Sequence, residues 1–317
     1  MFKRFREKRK DRKTLLQFQE VFLRKEELIM PVFLVDGQGI KKEILSMKEV
    51  YHYSVDVLIK ELEKWILKGL HSILLFGVPE NKGIEQTYHY QGLVQTGISL
   101  IKRKFPKLEI ISDVCLCSYS HDGQCHIGDN DETCRILSEI ALSHAVSGAD
   151  IVAPSDMMDG RVYFIRKKLD EAGFEKTKIL SYAAKFASGF YGPFRDAAGS
   201  SPKKGDRKSY QMNPANALEA LEEISADIEE GASSVIVKPA LSYLDIIYRA
   251  SSSFNIPIAA YQVSGEYASI RYLIENGLAK EELIYETAIS IKRAGASRII
   301  SYFTPYLLEK LDEYQSL

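Results

Sequence analysis

Several things are missing from this chain of 317 residues, and each absence excludes a class of protein. No apolar run approaches the roughly 20 residues a membrane span needs, so no membrane partner is expected. Met1–Lys13 (MFKRFREKRKDRK) has no apolar core of the kind a secretion signal carries, and Glu7 and Asp11 interrupt its basic run, unlike an acid-poor transit peptide. With a formal net charge of -1, the molecule has no excess of one sign to draw it to nucleic acid or anionic lipid. The basic start is read instead as a solvated face or an arm packed on a partner subunit. Only 4 cysteines are present, too few for a disulfide framework in a chain this long. There is no glycine-rich phosphate loop after the early strands, no Pro/Gly/Ser linker, no low-complexity segment and no sequence repeat. These properties fit a soluble cytoplasmic enzyme.

What is present alternates. Short apolar stretches rich in Val and Ile read as parallel strands buried on both faces: Pro31–Val35, Ser72–Val78, Glu109–Cys115, Asp150–Pro154, Lys178–Ala184, Ser234–Lys238, Pro257–Val263 and Arg298–Tyr302. Amphipathic helical stretches separate most of them. Ser54 is placed to cap a helix carrying Val57, Leu58, Leu62, Trp65 and Ile66, which ends before Gly69. Further helices are expected at Asp131–Val146, Arg161–Ala172 and Glu281–Ala294, each followed by a glycine. Asn213-Pro214 reads as a cap with proline at the first helical position, opening a helix toward Gly231. Leu15–Leu23 continues the N-terminus with apolar residues at helical spacing. Eight strands with intervening helices predict an α/β fold, a (β/α)8 TIM barrel of about 250 residues. The expected division is an extended N-terminal arm over residues 1–28 and a catalytic barrel over 29–317.

Chemistry in such a barrel sits at the C-terminal ends of the strands. Two of those ends are lysines: ILSYAA stops at Lys185, and SSVIV stops at Lys238. At a barrel mouth, desolvation and a second ammonium both disfavour the charged amine and lower its pKa. A neutral amine attacks carbonyls, so the pair reads as Schiff-base lysines. The alternative for one lysine is a side chain snorkelling to solvent, but two such lysines beside a cysteine cluster speak against it.

The cysteines form a C-x-C-x7-C pattern, Cys115, Cys117 and Cys125, with Cys134 apart in an amphipathic stretch. If the strand stays extended, Cys115 and Cys117 share a face, and the loop SYSHDGQCH must turn back to bring Cys125. Three thiolates leave a tetrahedral zinc one open position, as catalytic zinc requires. His121, Asp122 and His126 are candidates for a fourth ligand or an outer shell. The segment after Lys185, FASGFYGPFRDAAGSSPKKGDRKSYQM, is long for a barrel turn and reads as a lid. Its Arg195 and Arg207 offer planar forks suited to a carboxylate, while Lys203, Lys204 and Lys208 keep the loop soluble. Together these features predict a small keto acid substrate.

Six segments then carry a resemblance: DVCLC with Cys125, APSDMMDGR (153–161), LSYAAKFASGFYGPFRDAAGS (180–200), GDRKSYQMNPANALEAL (205–221), VKPALSYLDII (237–247) and YQVSGEY (261–267). In order, from about residue 15 onward, they closely resemble the delta-aminolevulinic acid dehydratase (porphobilinogen synthase) family, in its zinc-dependent branch. The resemblance implies a hydro-lyase that condenses two 5-aminolevulinate molecules into porphobilinogen with loss of two waters, in tetrapyrrole and haem biosynthesis. By matching position it implies that Lys238 holds the substrate that becomes the propionate arm and Lys185 the acetate-side substrate. Arg195, Arg207 and Gln211 become acetate-side contacts, Ser264 and Tyr302 bind the other carboxylate, and Asp113 and Ser155 line the site. Cys115, Cys117 and Cys125 become zinc ligands, and Glu223 the acidic residue of an allosteric magnesium site. The basic N-terminal region becomes an arm that wraps a neighbouring barrel in a homo-octamer.

Within that resemblance, Gln124 stands where the family has histidine and His126 where glycine is common; Ser233 replaces an aspartate and Ser242 a proline. Two rivals remain at this point. A class I aldolase also uses a Schiff-base lysine in a barrel, but it needs neither the second lysine nor three cysteines. A catalytically dead barrel serving as a binding subunit has no need to keep both lysines.

Overall fold

The structure, a computed structural model, describes residues 2–203 and 205–316; Met1, Lys204 and Leu317 lie outside the described residues. Ten strands occur among the described residues: β1 (Leu28–Val35), β2 (Lys41–Ile44), β3 (Met47–Tyr53), β4 (Ser72–Val78), β5 (Glu109–Val114), β6 (Ile151–Pro154), β7 (Lys178–Lys185), β8 (Ser234–Lys238), β9 (Ile258–Gln262) and β10 (Arg298–Ser301). Eight of them pair in parallel in the order β1-β4-β5-β6-β7-β8-β9-β10, and β10 returns to β1 through Leu28–Ile299 and Ile29–Ile300. The expected (β/α)8 barrel is therefore closed, with helices between strands covering its outside. Barrel strands such as β6 and β9 are buried along their whole length, as near-continuous apolar runs require.

The two further strands were not legible in the sequence. β2 and β3 form an antiparallel hairpin whose second strand adds to the end of β1 through His52 and Tyr53. KKEI and MKEVYHY are short, polar and half exposed, so no apolar alternation announces them. The hairpin matters because it reaches the lid: His52 Nε2 lies 2.6 Å from the Ala197 carbonyl oxygen.

Several helix expectations need correction. Ser54 holds the N-cap position of Val55–Leu67, yet its hydroxyl donates to the Asp56 carboxylate at 2.6 Å and does not cap the helix backbone. Asn213-Pro214 does not open a helix. Asn213 accepts from the Ala215 amide in a turn, and the helix Ala217–Glu229 begins after Asn216, whose side chain takes the Glu219 amide. An Asx turn there satisfies the backbone locally and delays the helix by one turn. The apolar spacing of Leu15–Leu23 yields a helix only over Arg12–Gln17, capped by Asp11. Beyond it Phe18 and Phe22 are exposed while Leu23 is buried, so no single barrel face supports a longer helix there.

Candidate active site

Lys185 and Lys238 end adjacent strands, and a bulge makes them partners. In the β7–β8 ladder Ser181 faces Val235, but Ala184 faces Val237 and Lys185 faces Lys238. β7 thus spends one more residue than β8 over this stretch. Because side-chain direction alternates along a strand, that extra residue turns Lys185 to the side Lys238 occupies. Both side chains are buried.

The aromatic rings around Lys238 were not foreseen from the sequence. The Lys238 amine lies 4.6 Å from the centre of the Tyr261 ring, 4.9 Å from Phe194, 5.1 Å from Tyr191 and 5.2 Å from Tyr182. Burial, and next the charge of Lys185, push its pKa down to about 7, against the opposing pull of Asp113 and Cys117. Lys185 donates a short hydrogen bond to the Ser155 carbonyl, and the Tyr182 ring also sits 5.7 Å from its amine. Tyr182, three residues before Lys185 on the same strand, was available as a signal. The bulge hid it, since simple alternation puts the two on opposite faces.

One small pocket is lined by Asp113, Cys117, Ser155, Lys185, Arg195, Arg207, Gln211 and Lys238, with Phe76, Tyr191 and Phe194 as its apolar wall. The lid supplies the two arginines. Arg207 donates through one terminal nitrogen to the carbonyls of Gly123 (2.7 Å) and Ser200 (2.6 Å), clamping the cysteine loop to the lid. Among the described residues, Arg195 Nε, Arg207 Nε and Gln211 Nε2 are buried donors with no acceptor. Buried donors without acceptors are costly, and three around one space call for an anionic, oxygen-rich ligand. Asp113 contributes an unpaired buried oxygen, and its carboxyl is pushed up to about 7 by burial and the Cys117 thiolate.

The cysteine sulfurs converge by a route other than the expected one. β5 ends at Val114, so Cys115 and Cys117 do not share an extended strand; the chain turns, and the Cys117 amide donates to Cys115 Sγ at 3.4 Å. Cys125 returns from the loop, and the three sulfurs lie within 4.8 Å of one another, all buried. Hydrogen bonds from the Cys115 and Cys125 thiols hold the Cys117 thiol well below its usual range, and Arg207 and Lys185 add to this. A buried set of three thiols with one already favoured as thiolate fits a thiophilic divalent ion. His121, Asp122 and His126 are not part of this set: His121 and Asp122 are exposed, and His126 packs edge-on against Tyr210 at 5.2 Å. Gln124 joins the support of the loop. It accepts from the Tyr210 hydroxyl at 2.7 Å, and that hydroxyl oxygen accepts the Cys125 amide at 3.4 Å.

The remaining expected residues lie beyond that lining. The Tyr302 hydroxyl bonds that of Tyr261 at 2.9 Å, one ring away from Lys238. Ser264 begins the helix after β9, where its hydroxyl accepts the Phe194 amide at 2.9 Å and donates to the Phe190 carbonyl at 3.2 Å. It therefore holds the root of the lid. Glu223 is half-buried in a different cleft shared with Asp159, Glu219 and Asn130. Burial raises its carboxyl to about 7, Arg161 opposes this, and Asp227, Asp159 and Glu219 push the same way as burial.

Comparison with known proteins gives the family. Residues 2–310 match the family model described as delta-aminolevulinic acid dehydratase. The chain is 49% identical over 317 residues to the delta-aminolevulinic acid dehydratase of Methanothermus sociabilis, covering 98% of this chain and 99% of that protein. It is 45% identical to that of Bacillus subtilis (strain 168), covering 95% of each chain. The solved structure of the Toxoplasma gondii ME49 enzyme, in complex with its reaction product porphobilinogen, superposes with a TM-score of 0.95 at 38% identity, covering 98% of this chain and 91% of that one. On the match to the family model, the relatives spanning nearly its whole length and the close superposition, this chain belongs to the delta-aminolevulinic acid dehydratase family.

Proposed function

We propose that this protein is a hydro-lyase condensing two molecules of 5-aminolevulinate into porphobilinogen with release of two waters, in tetrapyrrole biosynthesis. The observation that carries the reading is the pairing of Lys185 with Lys238 on one wall of a space ringed by unsatisfied donors.

Lys238, neutral for much of its population near pH 7, attacks the ketone of the substrate that becomes the propionate arm. Lys185 holds the acetate-side ketone. Protonated, each Schiff base is an electron sink that acidifies the adjacent C–H groups. Holding both substrates on adjacent strands makes their union effectively intramolecular. Arg195, Arg207 and Gln211 take the acetate-side carboxylate, and Tyr302 and Ser264 serve the other. Asp113, paired with Ser155 and titrating near neutrality, can hold or pass a proton beside both amines. Cys115, Cys117 and Cys125 would hold zinc, which would supply Lewis acidity at the site. Glu223, in its acidic cleft, suits a hydrated allosteric magnesium, which keeps several waters and takes few carboxylates.

The same reading takes residues 29–317 as the barrel and residues 1–28 as an arm over a neighbouring barrel of a homo-octamer. Phe2, Phe5, Leu15, Phe18 and Phe22 support it, since all are exposed on that arm. It also places the enzyme in the cytoplasm; among the described residues no helix is long and apolar enough to cross a membrane.

The test is 5-aminolevulinate turnover, read as the coloured adduct of porphobilinogen with Ehrlich's reagent, with and without zinc after chelation. Zinc-dependent product supports the full reading, zinc-independent product removes the role given to the thiols, and no product removes the function. Borohydride trapping adds a second check. Two modified lysines are expected, against one for an aldolase and none for a binding protein. Lys238→Ala should abolish turnover with the fold intact; near-normal activity would defeat the mechanism.

A further inference from the structure

We propose that Glu266 is a positioning residue that fixes the backbone leaving Lys238 and thereby the direction of the Lys238 amine; this rests on the reading of Lys238 as a Schiff-base lysine. Glu266 is almost fully buried, at 2% exposure. Among the described residues no lysine, arginine or histidine forms an ion pair with it. Its partners are backbone amides from two places. One carboxylate oxygen accepts the Val263 amide at 2.6 Å and the Ala240 amide at 3.4 Å; the other accepts the Leu241 amide at 2.6 Å.

Val263 caps the helix Ser264–Glu275, in which Glu266 is the third residue. Ala240 and Leu241 open the helical segment that follows Lys238, a turn over Leu241–Tyr243 continued by Leu244–Ser253. A single carboxylate thus satisfies the free amides at the starts of two helices, where negative charge is also favoured by both helix dipoles. A glutamine keeps the shape but turns an NH₂ toward amide donors, because only the carboxylate offers acceptors on both oxygens. Burial raises the Glu266 carboxyl to about 7, the Val263, Leu241 and Ala240 amides oppose this, and the amide geometry favours the charged acid.

The clamp begins two residues past Lys238. On its near side the Lys238 carbonyl accepts the Phe186 amide at 2.9 Å and the Tyr191 hydroxyl at 3.3 Å. Among the described residues the amine itself makes no hydrogen bond that would fix it; aromatic rings surround it, so its direction follows from the backbone. The turn carrying Glu266 is itself anchored to the lid. A Cβ on Gly265 would stand 2.5 Å from the Phe190 carbonyl oxygen, and Ser264 bonds Phe190 and Phe194. Lid root and Lys238 loop are pinned to one helix start.

The experiment is site-resolved trapping: borohydride reduction in the presence of 5-aminolevulinate, with peptide mapping of Lys185 and Lys238, in the unmutated full chain, Glu266→Gln and Glu266→Asp. In folded variants with native circular dichroism, modification of Lys238 should drop at least tenfold while that of Lys185 stays within twofold. Unchanged Lys238 trapping in a folded variant overturns the inference, as does parallel loss at both lysines, which marks a merely structural role. No trapping at Lys238 in the unmutated chain removes the functional reading instead. If neither variant folds, amide exchange in the unmutated protein decides. Protection of the Leu241 and Val263 amides comparable to that of β8 supports the clamp, and exchange orders of magnitude faster overturns it.

Discussion

Lys185 and Lys238 are direct register partners in the parallel ladder between β7 and β8, brought together by one extra residue in β7 between Ser181 and Ala184. Adjacent strands run about 4.8 Å apart, so the two amines share one desolvated neighbourhood. Their proximity lets the Lys185 charge help lower the Lys238 pKa, and it sets two substrates side by side. The pairing is the structural basis of the proposed condensation.

Trapping at Lys238 should depend on pH with a midpoint near 7. Its pKa is lowered to about 7, so below that value most of the amine is ammonium, and the reactive fraction falls about tenfold for each further pH unit. Above the midpoint the rate should level off. Lys185→Met removes a neighbouring cation that helps lower the Lys238 pKa, so the midpoint should move upward. Rates of trapping measured from pH 5 to 9 check both; a midpoint that stays put, or moves down, contradicts the coupling.

Cys125→Ser should remove the bound metal while leaving the barrel folded. Elemental analysis of purified protein is expected to give about one zinc per chain before the change and none after it, because loss of one of three thiolates breaks the ligand set. Cobalt substitution gives an independent readout, since thiolate-to-cobalt absorption should appear only in the unmutated chain. Equal metal content in both proteins would rule out this site.

Arg195→Lys should raise KM for 5-aminolevulinate by roughly 10- to 100-fold, the equivalent of losing a charge-assisted hydrogen bond of about 1.5–3 kcal/mol. The buried Nε of Arg195 has no acceptor among the described residues, and lysine has no counterpart to it. Steady-state kinetics with a KM unchanged within twofold would show that this donor does not meet substrate.

Gly123→Ala should loosen the lid. Gly123 sits at φ +74, and a Cβ there would lie 2.6 Å from the Ser201 carbonyl oxygen, on the face where Arg207 clamps the two loops. The left-handed backbone alone costs a non-glycine residue about 1–2 kcal/mol. Trypsin should cut faster after Lys203, whose amide is otherwise tied to the Asp122 carbonyl at 3.0 Å. Cleavage at the unmutated rate would mean that the loops do not depend on this contact.

Much of the site was legible because its chemistry is carried by residue types at strand ends. Lys185, Lys238, Arg195 and Arg207 line the one space, as their places at the ends of β7 and β8 and on the lid suggested, and so does Gln211, which only the family resemblance implied. The cysteine triplet also converges, although through a turn after Val114 and not along an extended strand. Less visible were Tyr182, Tyr191, Phe194 and Tyr261, which read in sequence as ordinary apolar positions and become a cage only when β7, the lid and β9 meet. Ser264 also bonds the lid root at Phe190 and Phe194, a contact the sequence did not announce. The hairpin of β2 and β3 left no periodic trace at all.

The sequence by itself determined the barrel and its reactive groups, since alternating apolar runs and helices admit few packings and side-chain identity is local information. Tertiary structure alone decided three things: the bulge that turned Lys185 toward Lys238, the burial that lowered the Lys238 pKa, and the two helix starts that share Glu266. Register, desolvation and the meeting of distant backbone amides are relations between segments, and no one segment contains them.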